Sequence, residues 1–149
     1  MNYKRFTEEL LVNKLRDIPA RRASIVNIPE QIKMLEEMFI AIKAAKTDGD
    51  PVSGGGNHRE DALIDNIVKR QWLQIRLKSD RAELEFMERN LAALPPNERL
   101  VLERFYINGE KHAAERLSQE LGYEQAQIYR IKDAAIKSLA DRIYAPDDI

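Results

Sequence analysis

The stretch Ala114 to Asp133, AERLSQELGYEQAQIYRIKD, constrains this chain more than any other. Its apolar and small residues predict a short helix, a turn at Gly122 and a second helix. Leu117 and Ser118 fall on the inner face of the first helix, Leu121 and Tyr123 close over the turn, and Ile128 and Ile131 line the second. Glycine suits the bend because the chain leaves the first helix through a left-handed residue, which costs a residue with a side chain roughly 1 kcal/mol or more. Glu124 then opens the second helix, a residue that caps less well than Ser or Thr by about 1 kcal/mol. With Ile128 and Ile131 inward, the opposite face presents Gln125, Ala126, Tyr129, Arg130 and Asp133, flanked by Gln127, Lys132 and Lys137. In DNA-binding proteins helix pairs of this kind present their second helix to the major groove; the same pattern also serves as a purely structural helical corner.

The flanking sequence extends the unit. Upstream, LPPNERLVLERFYINGE predicts a helix from Glu98 to Tyr106, capped by Asn97 and ended by Ile107-Asn108-Gly109, with Leu100, Val101, Leu102 and Phe105 packed beneath the helix pair. Downstream, Ala134, Ala135, Ile136 and Leu139 carry the second helix on toward Ile143. Together, LPPNERLVLERFYI and LGYEQAQIYRIKDAAIKSL resemble region 4 of bacterial sigma factors, and still more the phage-encoded, sigma-like late-gene regulators of the ArpU and RinA type. The resemblance implies a C-terminal helix-turn-helix domain over residues 95–149 that reads double-stranded DNA. It implies regulation of phage or prophage transcription together with RNA polymerase, with no cofactor. In this reading Arg130 reaches a guanine edge or a phosphate, Gln125 and Tyr129 are the next base-facing contacts, and Lys132 and Lys137 hold phosphates.

The preceding residues, 1–94, read as a helical region for assembly or polymerase contact. Tyr3 to Leu15 predicts a short amphipathic helix, broken at Asp17-Ile18-Pro19 and followed by Arg21 and Arg22 on a loop. Ile28-Pro29-Glu30 opens a second helix, Pro29 in its first turn, with Ile32, Leu35, Met38 or Phe39, and Ile42 on its apolar face to about Ala45. Met34, Met38 and Phe39 read as core filling. Residues 46–58, KTDGDPVSGGGNH, form a flexible linker by composition; the Gly run lacks the Gly-Lys-Ser/Thr of a phosphate loop. A helix without Gly or Pro then runs from Arg59 to Leu94, with Lys78, Ser79, Asp80 and Arg81 interrupting its stripe. The economical arrangement is an antiparallel hairpin in which this helix outreaches its shorter partner. Apolar surface around Trp72 is then left for a homo-oligomer through the long helix or for another protein. The tail from Ala145 to Ile149 should fray. The fold class is therefore all-α: an N-terminal helical hairpin with a long helix, then the helix-turn-helix domain.

Composition narrows the alternatives. The absence of cysteine fits a reducing cytoplasm, here that of a bacterial host, and with only His58 and His112 no structural zinc site can be assembled. No signal-peptide run opens the chain, and no apolar stretch approaches the ~20 residues of a membrane span. Lacking clustered His, GxSxG or a phosphate loop, with acids interleaved among bases as on solvated faces, it does not read as an enzyme. The net charge of −1, and eight basic against ten acidic residues from Pro95 to Ile149, mean that phosphate attraction must come from geometry rather than bulk charge. A small terminase-like packaging protein and a helical interaction scaffold are the alternatives. Terminase small subunits usually carry the DNA-binding unit first, the reverse of this order.

Overall fold

Pro19 and Pro29 both lie inside one continuous helix, α1, which runs Tyr3–Ala44. The structure, a computed structural model, describes residues 2–45 and 58–144. The predicted linker, apart from His58, and the predicted fraying tail lie outside them. After α1 come α2 (His58–Ala92), α3 (Pro96–Leu102), a π-helical turn (Glu103–Ile107), α4 (Ala113–Leu121) and α5 (Gln125–Ile143). The fold is all-α, without a strand among the described residues. No helix among them is long and apolar enough to cross a membrane.

The continuity of α1 corrects the predicted break at Pro19, the loop at Arg21-Arg22 and the helix start at Pro29. A proline in a helix interior costs about 3 kcal/mol through a lost hydrogen bond and a clash with the preceding turn. Against this, Leu11, Leu15 and Ile18 are fully buried, and each contributes about 1.5–3 kcal/mol by leaving water. With Ile28, buried between Pro19 and Pro29, these side chains offset the two prolines. It follows that α2 does not outreach its partner: α1 has 42 residues and α2 has 35, so α1 is the longer by ~10 Å.

The chain divides into two compact units, and the boundary is not the predicted one at Leu94. The first unit joins Met1–Arg21 to Glu83–Ile149, and the second is Arg22–Ala82. In the first, Leu11, Leu15 and Ile18 of α1, Met87 and Leu91 of α2, Leu102 of α3, and Ala135, Ile136 and Leu139 of α5 share one core. The start of α1 thus belongs with the C-terminal helices. A cut at Pro95 would strip that core of six of its large side chains, Leu94 included. Lys14 Nζ and Glu83 Oε1, 2.8 Å apart, join the two helices at the edge of this core.

In the second unit the antiparallel pairing is explicit. Asn66 Nδ2 donates to the Leu35 carbonyl at 2.8 Å, the Arg70 guanidinium lies 5.0 Å over the Phe39 ring, and Arg76 donates to Ser24 Oγ at 3.4 Å. Arg59 also donates to the Lys43 carbonyl, so from Lys43 through Leu35 to Ser24 the α2 partners advance from Arg59 through Asn66 to Arg76, which is the predicted hairpin. Asn66 is buried and also accepts from Arg70 Nε at 2.9 Å; a buried amide with so specific a pairing pins the register of two long helices. Asp80, one of the residues expected to interrupt the apolar stripe, is buried, with Arg76 3.7 Å away. Met34 and Met38, expected in the core, are exposed together with Ile64, Val68, Trp72 and Ile75.

Candidate nucleic-acid interface

The helix, turn, helix segment sits on its own small core. Val101, Ala114, Leu117 and Ile128 are buried together, with Leu100, Phe105, Leu121 and Ile131 packed around them. α3 serves both cores, because adjacent residues point to different sides: Leu102 into the first, Val101 into the second. Pro95, not the predicted Asn97, stands at the N-cap of α3, and Pro96 fills the first helical position, where a missing N–H costs nothing.

The π-helical turn was not foreseen. The Asn108 amide donates five residues back to the Glu103 carbonyl at 2.8 Å, inserting one extra residue per turn. The consequence is that Phe105 and Tyr106, neighbours in sequence, serve different places. Phe105 meets the Tyr129 ring edge-on at 5.9 Å, whereas Tyr106 carries the Arg16 guanidinium over its ring at 5.7 Å.

The turn itself is as the sequence predicts. Gly122 adopts φ 74° and ψ 21°, the left-handed region, and its amide donates to the Ser118 carbonyl at 3.0 Å. Ser118 Oγ donates to the Tyr123 carbonyl, which ties the last turn of α4 to the chain leaving it. Tyr123 does not close over the turn. Its ring is 40% exposed and lines an open cavity of about 420 Å³ with Asn97, Gln127 and Arg130. Glu124 is the N-cap of α5 and makes no side-chain cap hydrogen bond.

With Ile128 buried and Ile131 half-buried, Gln125, Ala126, Gln127, Tyr129, Arg130, Asp133 and Lys137 are all exposed on α5. They fall into two groups. Gln125, Ala126, Gln127, Tyr129 and Arg130 occupy the first turns, where Arg130 Nη1 donates to Gln127 Oε1 at 3.3 Å. Asp133 and Lys137, one and two turns on, line a groove of about 730 Å³ together with Lys4, Arg5 and Arg16 of α1. Those three cations were missed. Nothing in their spacing could have found them, since they come to α5 through the core that Leu11, Leu15 and Ile18 share with Ala135, Ile136 and Leu139, remote in sequence. Lys132 differs from the expectation of an outward cation. Its ammonium lies 5.2 Å over the Tyr129 ring and 5.5 Å over Phe105, so it braces Tyr129 from beside the core.

The chain matches no family model, no curated protein and no solved structure.

A charged cluster holds the base of α4. Arg104 grips Glu120 with two bonds, at 2.6 and 2.9 Å, and also binds Glu110, which receives Arg116 at 2.8 Å. The Arg104 hydrogen bond, then that of Arg116, pulls the Glu110 carboxyl down to about 2. Arg104 lowers Glu120 in the same way, and the two carboxylates, Glu120 first, raise Arg104 in return. Two of the acids that weigh against anion binding are thus already matched to arginines.

Proposed function

We propose that this chain is a sequence-specific regulator of transcription that binds double-stranded DNA through the opening turns of α5. It acts on phage or prophage genes, sigma-like, with RNA polymerase in a bacterial cytoplasm. The observation that carries the reading is the exposed run Gln125 to Arg130 on a helix anchored by Ile128 and set by the left-handed turn at Gly122. Its side chains suit base edges: Gln125 and Gln127 offer paired donor and acceptor groups, Arg130 a planar fork, and Tyr129 a ring for a thymine methyl. Asp133 lines the same groove, with Glu8 and Glu9 among the cations and its own ion pair to Lys132 at 3.7 Å, so it is not a base reader. Lys137, Lys4 and Arg5 are the phosphate contacts at that end. Lys132 supports Tyr129 rather than the backbone of the DNA.

Mapping the bound DNA in the native host tests the reading. Peaks upstream of promoters are the expected result, and a single packaging-site peak would make the chain a packaging protein instead. On the mapped site, Arg130→Ala should weaken binding by ~1–3 kcal/mol and relax preference at one base pair, as loss of a bidentate contact does. Equal affinity of mutant and wild type in a titration at fixed salt would remove Arg130 from the interface.

A further inference from the structure

We infer that the hairpin of the second unit, Arg22–Ala82, closes against a second copy of this chain. On α2, Ile64, Val68, Trp72 and Ile75 recur at spacings of four, four and three, the repeat that keeps side chains on one helix face. All four are exposed, Trp72 at 67%. Trp72 also forms one wall of a groove of about 590 Å³ whose other wall is Met34 and Met38 of α1. These six side chains together expose on the order of 600 Å² of apolar surface, the upper end of what a lone soluble chain shows. Among the described residues these side chains stand uncovered, and residues 46–57 carry Val52 as their only aliphatic side chain apart from proline.

The rim of the groove identifies the occupant. One turn either side of Met34 stand Glu30 and Glu37; one turn either side of Trp72 stand Lys69 and Arg76. Lys69 and Arg76 line the groove, where Arg76 also reaches Asp80 and Ser24, while Glu30 and Glu37 flank it on α1, so its α1 side is acidic, its α2 side basic, and the patch complements itself. A two-fold axis that lays the α1 edge of one copy on the α2 edge of the other brings the acidic pair to the basic pair twice, as an isologous interface requires. Two such patches together bury ~1,200 Å², the lower bound of a specific interface. The inference stands independently of the DNA-binding reading.

Sedimentation velocity on the full chain tests it, together with the emission of Trp72, the only tryptophan. The expected result is a species of twice 17.2 kDa that dissociates on dilution while the emission shifts to the red. Trp72→Glu should raise the dissociation constant at least about 30-fold, the loss expected of a buried aromatic anchor, with unchanged helicity by circular dichroism. Exchanging Lys69→Glu and Arg76→Glu should weaken the dimer, and adding Glu30→Lys and Glu37→Lys should restore it, which a foreign partner would not explain. A chain that stays at 17.2 kDa at its highest attainable concentration, with water-exposed tryptophan emission throughout, overturns the inference. So does a dimer that Trp72→Glu leaves intact. Should Trp72→Glu fail to fold, the dilution series on the wild type decides.

Discussion

The two units bury their side chains very differently. Among the described residues, eighteen apolar side chains are buried, and all but Ile28 belong to the first unit. The second unit instead holds nine of the thirteen large apolar side chains that stand exposed. Both are built from the same two long helices, so helix propensity does not separate them. What separates them is the number of elements brought to one place. Around Leu15, four helices and a π-helical turn enclose a common core, whereas two helices alone always leave the far face of each in water. The lesson is that a long helix can be core on one stretch and unpartnered on the next, with no change in its own pattern.

Substitution of one apolar residue from each unit gives the sharpest contrast. Leu15→Ala removes a fully buried side chain and should cost ~2–5 kcal/mol, transfer and cavity together. Ile40→Ala removes one that is 66% exposed and should change stability by no more than about 0.5 kcal/mol. Urea midpoints of the two variants measure the difference. Similar losses at both positions would mean that the second unit has a core of its own.

Gly122→Val probes whether the first unit needs its turn as much as its core. No atom lies within 4 Å of a Cβ built on Gly122, so the penalty is one of backbone conformation alone. A β-branched residue held at φ 74° should cost ~1–2 kcal/mol or more and should lose DNA binding by tilting α5. A protein that melts normally and binds DNA would show that another residue sets the angle between α4 and α5.

How much of this was legible in the sequence follows the range of the forces. Gly122, Leu117 and Ile128 were legible because the turn and both helix faces are set within twenty residues. The hairpin pairing was legible too, though its register rests on Asn66, which looks like any polar residue in a helix. The continuity of α1 was not legible: the cost at Pro19 is local, while the compensation comes from Met87, Leu91 and Leu139, which are remote in sequence. For the same reason Lys4, Arg5 and Arg16 were absent from the candidate site. Lys132, expected to hold a phosphate, lies over the Phe105 and Tyr129 rings, a placement that depends on a residue more than twenty positions away.

A smaller effect separates polar from apolar cohesion in the first unit. Glu110, held at about 2 against an ordinary 4.5, is a carboxyl whose pKa falls on folding. Its contribution is therefore complete above pH 4.5 and is lost as pH drops toward 2, and Glu120, also lowered, adds to the same window. Stability measured by urea midpoint should decline across that window, and Arg104→Met should flatten the decline. Salt should weaken the effect, because Glu120 is half exposed. An unchanged slope in Arg104→Met would mean that the cluster orders side chains without stabilising the unit.

The smallest effect concerns the one residue with a side chain that the described backbone holds left-handed. His112 caps the start of α4 at φ 58° and ψ 35°. Histidine tolerates this region better than most residues, yet it still pays part of the ~1–2 kcal/mol that separates left- from right-handed backbone. Its side chain gives little in return: Nδ1 lies 3.9 Å from Glu115 Oε2, with both groups largely in water, and such pairs contribute ~0–1 kcal/mol. His112→Gly relieves the conformation, while glycine adds freedom to the unfolded chain that offsets part of the gain. The expected net result is stabilisation by up to ~0.5–1 kcal/mol, seen as a higher urea midpoint at constant m-value. Gly109, at φ 57° with no atom within 4 Å of an added Cβ, is the mirror control, and Gly109→Ala should be destabilising by a similar amount. If His112→Gly lowers stability instead, the imidazole holds α4 in place through more than its backbone, and the loop from Gly109 to His112 joins the polar cohesion that distinguishes the first unit from the second.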